Sequence, residues 1–187
     1  MEIIVLQEMI NQADNLILQA YYTTNLIVEL KNNKFLKSDF FQGMTFGQPA
    51  IKEELKIVDV DNQGSALMAL YAMLVIPKEI LKEQYSAEYA ALNEFLQLVV
   101  TNTVTNYPHD SPSINFVHHI RNSVAHARVE FVENDYVLFR DKNKDRHWQF
   151  ETRLPLNFLG EFIGKLQRIH MRYISDRLLG IEYVSKT

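Results

Sequence analysis

The stretch Val117-His118-His119-Ile120-Arg121-Asn122-Ser123-Val124-Ala125-His126-Ala127 separates into an apolar and a polar side when wound as a helix. At about 100° per residue, Phe116, Ile120, Val124 and Ala127 fall on one face, and Asn115, His119, Asn122 and His126 on another. The first set requires a core. The second puts two imidazoles and two carboxamides in a line, and such groups are costly to bury without partners, so they point to a solvent groove or an interface. Arg121 does not share that line, because five positions to His126 amount to about 140° around the axis. Three arrangements reconcile the two: the helix is irregular near Ser123, the long Arg121 side chain folds around, or a second copy of the chain supplies the opposite half of a site. A two-fold dimer pairing these helices brings two arginines and two histidines together, and it is the arrangement we expect.

Upstream, Ile3, Leu6, Met9, Ile10, Ala13, Leu16, Ile17 and Ala20 recur at three-and-four spacing and predict a first helix running to about Leu30. Gly43, Gly47 and Pro49 mark Phe40 to Pro49 as a connection, with Ile51 to Val58 a short element of open type. Gly64 to Tyr85 reads as a helix that must kink or restart at Pro77. Ser86 is the expected N-cap of a helix through Leu92, Leu96 and Val99, weakened at its end by the β-branched run to Thr105. Ser113 is the expected cap of the helix holding the quoted stretch.

Downstream, Val129 to Val132, Tyr136 to Phe139 and Trp148 to Glu151 alternate like strands around polar turns. Pro155 then opens a last helix with a broad stripe of Leu156, Leu159, Phe162, Ile163, Leu166, Ile169 and Tyr173. The fold expected is mainly α: a bundle of about five helices, with a small antiparallel β-hairpin or meander over residues 129–152 inserted before the C-terminal helix. A chain of 187 residues fits one domain, 1–187.

Composition narrows the function. No cysteine is present, which excludes thiolate nucleophiles, disulfides and cysteine-based zinc sites and suits a reducing cytoplasm. The formal charge of -4 gives no global pull on nucleic acid, so any such contact needs a local basic patch. The longest apolar run, Ala66 to Ile76, is far short of a bilayer span. His118, His119 and His126 include no pair three or four apart, the spacing two ligands on one helix face require, so no metal site is expected.

Arg121-Asn122 followed by three residues and His126, late in a helical chain, resembles the Arg-x4-6-His signature of the HEPN superfamily, in which a polar residue such as Asn often follows the Arg. The whole stretch from Val117 to Ala127 is similar to the compact prokaryotic and plasmid-borne members. The resemblance implies a bundle that dimerises through the motif helices and, in active members, a metal-independent endoribonuclease that leaves a cyclic phosphate and needs no cofactor. RNA carries its own nucleophile in the 2′-hydroxyl and requires only proton transfer and charge neutralisation. On that resemblance His126 is the general acid or base, Arg121 holds the scissile phosphate through a forked pair of hydrogen bonds, and Asn122 orients the phosphate or His126.

His119, Arg128, Lys142, Lys144 and Arg146 are the expected RNA contacts, the last three with His147 forming a basic turn. Many HEPN toxins paired with a nucleotidyltransferase antitoxin have a modified Tyr two positions after the motif His; here that position is Arg128. Control by adenylylation is therefore not expected, whereas a basic group beside the site suits RNA. His109 and His170 read as solvent or packing residues, and Phe40, Phe41 and Phe46 as a cover for the bundle end. The function expected is an RNA-cleaving homodimer in a toxin–antitoxin, antiphage or similar conflict system, with an antitoxin or regulatory protein as a further partner. Two alternatives stand beside it: a non-catalytic HEPN module that binds a partner protein or nucleotide, and a small-molecule-binding bundle with an incidental motif.

Overall fold

The computed structural model describes residues 12–133, 135–145 and 147–176, so Ile3, Leu6, Met9 and Ile10 of the expected first helix, and Arg146, lie outside the described residues. Helix α1 (Gln12–Asn32) turns Ile17, Tyr21 and Thr24 inward, four and three residues apart. The connection expected after it holds the short helix α2 (Asp39–Gly43), whose first turn is capped by the Ser38 hydroxyl accepting from the Phe41 amide at 3.2 Å. Phe41 is fully buried with its ring edge-on to those of Phe35 and Phe46, while Phe40 faces solvent. The element left open is a helix, α3 (Pro49–Val58), with Pro49 in its first turn, where the missing amide costs nothing.

Helix α4 (Gln63–Leu70) runs on into a π-helical turn, Tyr71–Val75, before Pro77 stops it. Proline has no amide to give the Met73 carbonyl four residues back. That carbonyl instead accepts a 3.1 Å bond from Nε2 of the buried His170. The helix restarts as α5 (Lys78–Gln84), the break expected at Pro77. Ser86 is not the N-cap of the next helix, α6 (Ser86–Val99): only Tyr85 separates α5 from α6, so Tyr85 ends one and caps the other, and Ser86 is already helical.

The β-branched run after Val99 is a strand rather than a frayed helix end. Val100 is extended, and β1 (Thr101–Thr105) follows at once. The sheet is therefore four-stranded, with β2 (Val129–Val132), β3 (Tyr136–Lys142) and β4 (Gln149–Pro155), in the order β1-β4-β3-β2 and antiparallel throughout. Helix α7 (Phe116–Ala125), which holds the quoted stretch, packs on β3, α6 and the π turn. Helix α8 (Leu156–Ile174) buries Leu159, Phe162, Leu166, Ile169 and Tyr173, five members of the expected stripe. It reaches α1, α5, α6, β3 and β4, so the bundle and the inward face of the sheet share one hydrophobic cluster. The fold is the expected mainly helical bundle with a small antiparallel sheet before the C-terminal helix. Among the described residues no helix is long and apolar enough to cross a membrane.

Candidate functional site

Both ends of α7 are fixed by side chains and turns of defined kinds. Asn115, not Ser113, is its N-cap: the Asn115 side chain accepts from the His118 amide at 3.0 Å, leaving Ser113 two residues outside. A second carboxamide, Asn93 of α6, donates to the Ile114 carbonyl at 2.9 Å and accepts from the Val117 amide at 3.3 Å. At the other end the Arg128 amide reaches the Ser123 carbonyl (2.8 Å) and the Ala127 amide the Val124 carbonyl (3.2 Å), a Schellman closure with Ala127 in the left-handed region at φ 51°. His126 is the capping residue and is exposed. The helix is regular through Ser123, so irregular backbone does not bring Arg121 and His126 together.

The polar face of α7 meets the sheet at one row. Thr105, Phe150 and Asp141 lie side by side across β1, β4 and β3. Together they build a socket for His119, which is only 3% exposed. The Phe150 ring stacks on the imidazole, 4.3 Å between centroids and 12° from parallel. His119 Nδ1 donates to Asp141 Oδ2 at 2.8 Å, and Nε2 to Asp110 Oδ1 at 3.0 Å. Asp110 is itself held by the Thr105 hydroxyl. Because a carboxylate only accepts, both ring nitrogens carry hydrogen and His119 is an imidazolium between two aspartates. Burial opposes its charge, but the bonds to Asp141 and Asp110 outweigh burial and hold its pKa above the ordinary histidine value. Asp141 is likewise resisted by burial yet held below the usual carboxylate range by His119 and Asn122. Burial, then the adjacent Asp141 carboxylate, pushes the Tyr107 phenol up to about 12.

Asn122 extends this network outward. Its Nδ2 donates to Asp141 Oδ2 (2.9 Å) and to His118 Nε2 (3.1 Å), and its Oδ1 accepts from the Arg121 guanidinium. Only this amide orientation satisfies all three partners, so His118 Nε2 is an acceptor and the ring is neutral. Although much of the residue is exposed, desolvation of the ring, followed by the Arg121 and His119 charges, brings the His118 pKa down to about 4.

Two depressions flank this ridge. A groove of about 600 Å³ collects His119, Asn122, His126, Lys142 and Lys144, five of the residues singled out from the sequence, together with His118. Arg121 opens instead on a neighbouring cleft of about 370 Å³, lined also by Lys82, Tyr89 and Asn93, and His118 forms part of both walls. Arg128 is outside the groove lining; its guanidinium donates to the Lys142 carbonyl at 2.9 Å and ties the start of β2 to the end of β3. Among the described residues, no set of three or more His, Asp and Glu side chains is arranged to hold a metal ion.

Sequence reasoning missed Asp141, Asp110 and Trp148. Asp141 continues the inward alternation of Val137 and Phe139, and a carboxylate at that register is the signal that marked it. Asp110 comes from a turn nine residues before His119, and nothing in the linear pattern joins the two. Trp148 belongs to the hairpin turn and lines the groove beside Tyr107 and His109.

Residues 8–177 match the family model described as HEPN pEK499 p136. No curated protein and no solved structure matches the chain.

Proposed function

Because the chain belongs to the HEPN pEK499 p136 family, we propose that it is an endoribonuclease that cleaves RNA by metal-independent transphosphorylation. The observation that carries this reading is the groove at the end of α7, where His126, Asn122 and His118 face Lys142 and Lys144. Lys142 and Lys144 are the local cations beside the motif that RNA binding by an acidic chain would use. In the reaction proposed, the 2′-hydroxyl loses its proton and attacks phosphorus. The bond to the 5′-oxygen breaks, that oxygen takes a proton, and the products end in a 2′,3′-cyclic phosphate and a 5′-hydroxyl. His126, exposed at the helix end, is the proton-transferring group. Arg121 neutralises the phosphorane charge. Asn122, bonded to both Arg121 and Asp141, sets the direction of the guanidinium.

Arg121 and His126 open on different depressions of one chain, and this supports a homodimer paired through α7, in which the arginine of one protomer serves the groove of the other. The cellular setting we propose is a toxin–antitoxin or antiphage system, in which a partner protein restrains the cut. The test is incubation of the purified chain with a mixed RNA pool in chelator, beside an Arg121→Ala/His126→Ala variant shown to fold and to keep the same oligomeric state. Cleavage by wild type alone, with cyclic-phosphate ends, is the expected result. Intact RNA in both, under conditions where the protein is dimeric, refutes the assignment.

A further inference from the structure

The hairpin turn between β3 and β4 carries the only tryptophan of the chain, Trp148, 41% exposed on the wall of the groove. An exposed indole at a turn is ordinarily a loose group, but this one is fixed at its backbone and flanked by two rings. Its amide donates to Asn143 Oδ1 at 3.0 Å, and its carbonyl accepts from the Asn143 amide at 3.1 Å. The residues on either side are tied to Asn106: the His147 carbonyl accepts from Asn106 Nδ2 (2.9 Å), and the Gln149 amide donates to Asn106 Oδ1 (2.6 Å). The ring is flanked by Tyr107, 6.0 Å between centroids, and by His109, edge-on at 6.5 Å. Lys142 and Lys144 line the same groove. A part-open aromatic face on a backbone-anchored turn, in a groove that also holds two cations, matches an unpaired nucleobase and its phosphate, since every base has a face to stack and the pairing tolerates any base identity.

We propose that Trp148 is a stacking platform for an unpaired nucleobase of the substrate strand, with the attached phosphate on Lys142 and Lys144. The platform selects single-stranded RNA, because a base held in a duplex cannot reach the indole. This inference rests on the reading of the groove as the RNA site and deepens it.

Trp148 reports on its own occupancy. The full-length protein is titrated with a 2′-O-methylated single strand, which lacks the nucleophile and stays uncut, and with an abasic strand of equal length. Indole emission and the anisotropy of a labelled strand are recorded. The expected result is saturable quenching by the base-bearing strand only. Trp148→Leu should weaken binding of that strand about fivefold to a hundredfold, and Trp148→Phe, which keeps an aromatic face, should retain most of the affinity. Absence of binding, binding without a change in emission, equal binding of the abasic strand, or Trp148→Leu within twofold of wild type each overturns the proposal. Cleavage of unmodified RNA is followed in parallel. Base-dependent quenching without any cleavage refutes the nuclease reading and leaves the platform standing, whereas cleavage indifferent to Trp148→Leu refutes the platform alone.

Discussion

Replacing Asp141 by Asn keeps the shape of the side chain and removes its charge. The oxygen of the new carboxamide can still receive the bonds from His119 Nδ1 and Asn122 Nδ2 that converge on Oδ2 at 2.8 and 2.9 Å. The buried imidazolium, however, is left with Asp110 alone. Removing one partner of a buried ion pair costs about 3–5 kcal/mol, and because Asp110 remains we place the loss near the lower end, about 3 kcal/mol. For a chain of this size each kcal/mol moves the melting temperature by about 2–4 °C, so a drop of roughly 6–12 °C is expected. The sign with pH follows from the two shifts. The raised pKa of His119 contributes stability that is lost as pH rises through its folded value, and the lowered pKa of Asp141 contributes stability that is lost as pH falls through its own. The deficit of Asp141→Asn is therefore widest between those two values and narrows on the alkaline side as wild-type His119 deprotonates. Urea melts of both proteins across that range measure it, and the NMR titration of His119 should move to lower pH in the variant. A deficit under about 1 kcal/mol at pH 6, or one that does not change with pH, refutes the charged triad.

Ala127 sits at the left-handed closure of α7, where a Cβ costs about 1–2 kcal/mol and glycine's greater freedom when unfolded returns about 0.5–1. Ala127→Gly should therefore stabilise the protein by about 0.5–1 kcal/mol in denaturant melts, with unchanged secondary structure by circular dichroism. Burial pushes His170 down to about 4, so its neutral form stabilises the fold at neutral pH and that contribution is lost as pH falls below the free histidine value. His170→Phe strands the Met73 carbonyl and should cost about 1–3 kcal/mol at pH 7. The same variant escapes the acid penalty, so its deficit should shrink by about 2 kcal/mol at pH 5; parallel melts at the two pH values check both effects.

The parts of the fold legible in the sequence are those whose pattern is local. The stripe of α8, the break at Pro77 and the strands β2 and β3 all follow from periodicity or a single backbone rule. Strand β1 was hidden because it follows α6 without a turn and finds its partner, β4, about fifty residues later, as Thr101 opposite Arg153. The caps at Asn115 and Tyr85 displaced the serines because tertiary contacts, Asn93 against Ile114 and the shared end of α5, decide those boundaries. At the site, the polar line of α7, read as a solvent groove or an interface, borders a depression, but burial divides its members: His119 is enclosed while His126 remains outside. That division depends on Asp110 and Asp141, which come from a turn and a strand that no helical periodicity can connect.

The row Thr105–Phe150–Asp141 gives the sheet a second task besides covering the core. Neighbouring residues of a strand point to opposite sides, so sliding β3 by one place would turn Asp141 away from α7, and sliding β1 would release Asp110. The strands thus act as an alignment gauge for the motif helix: the socket for His119 is complete only when β1, β4 and β3, spread over some fifty residues, are in register. A chain with the helices formed but the strands unpaired has the whole Arg121 to His126 sequence and no socket to orient it.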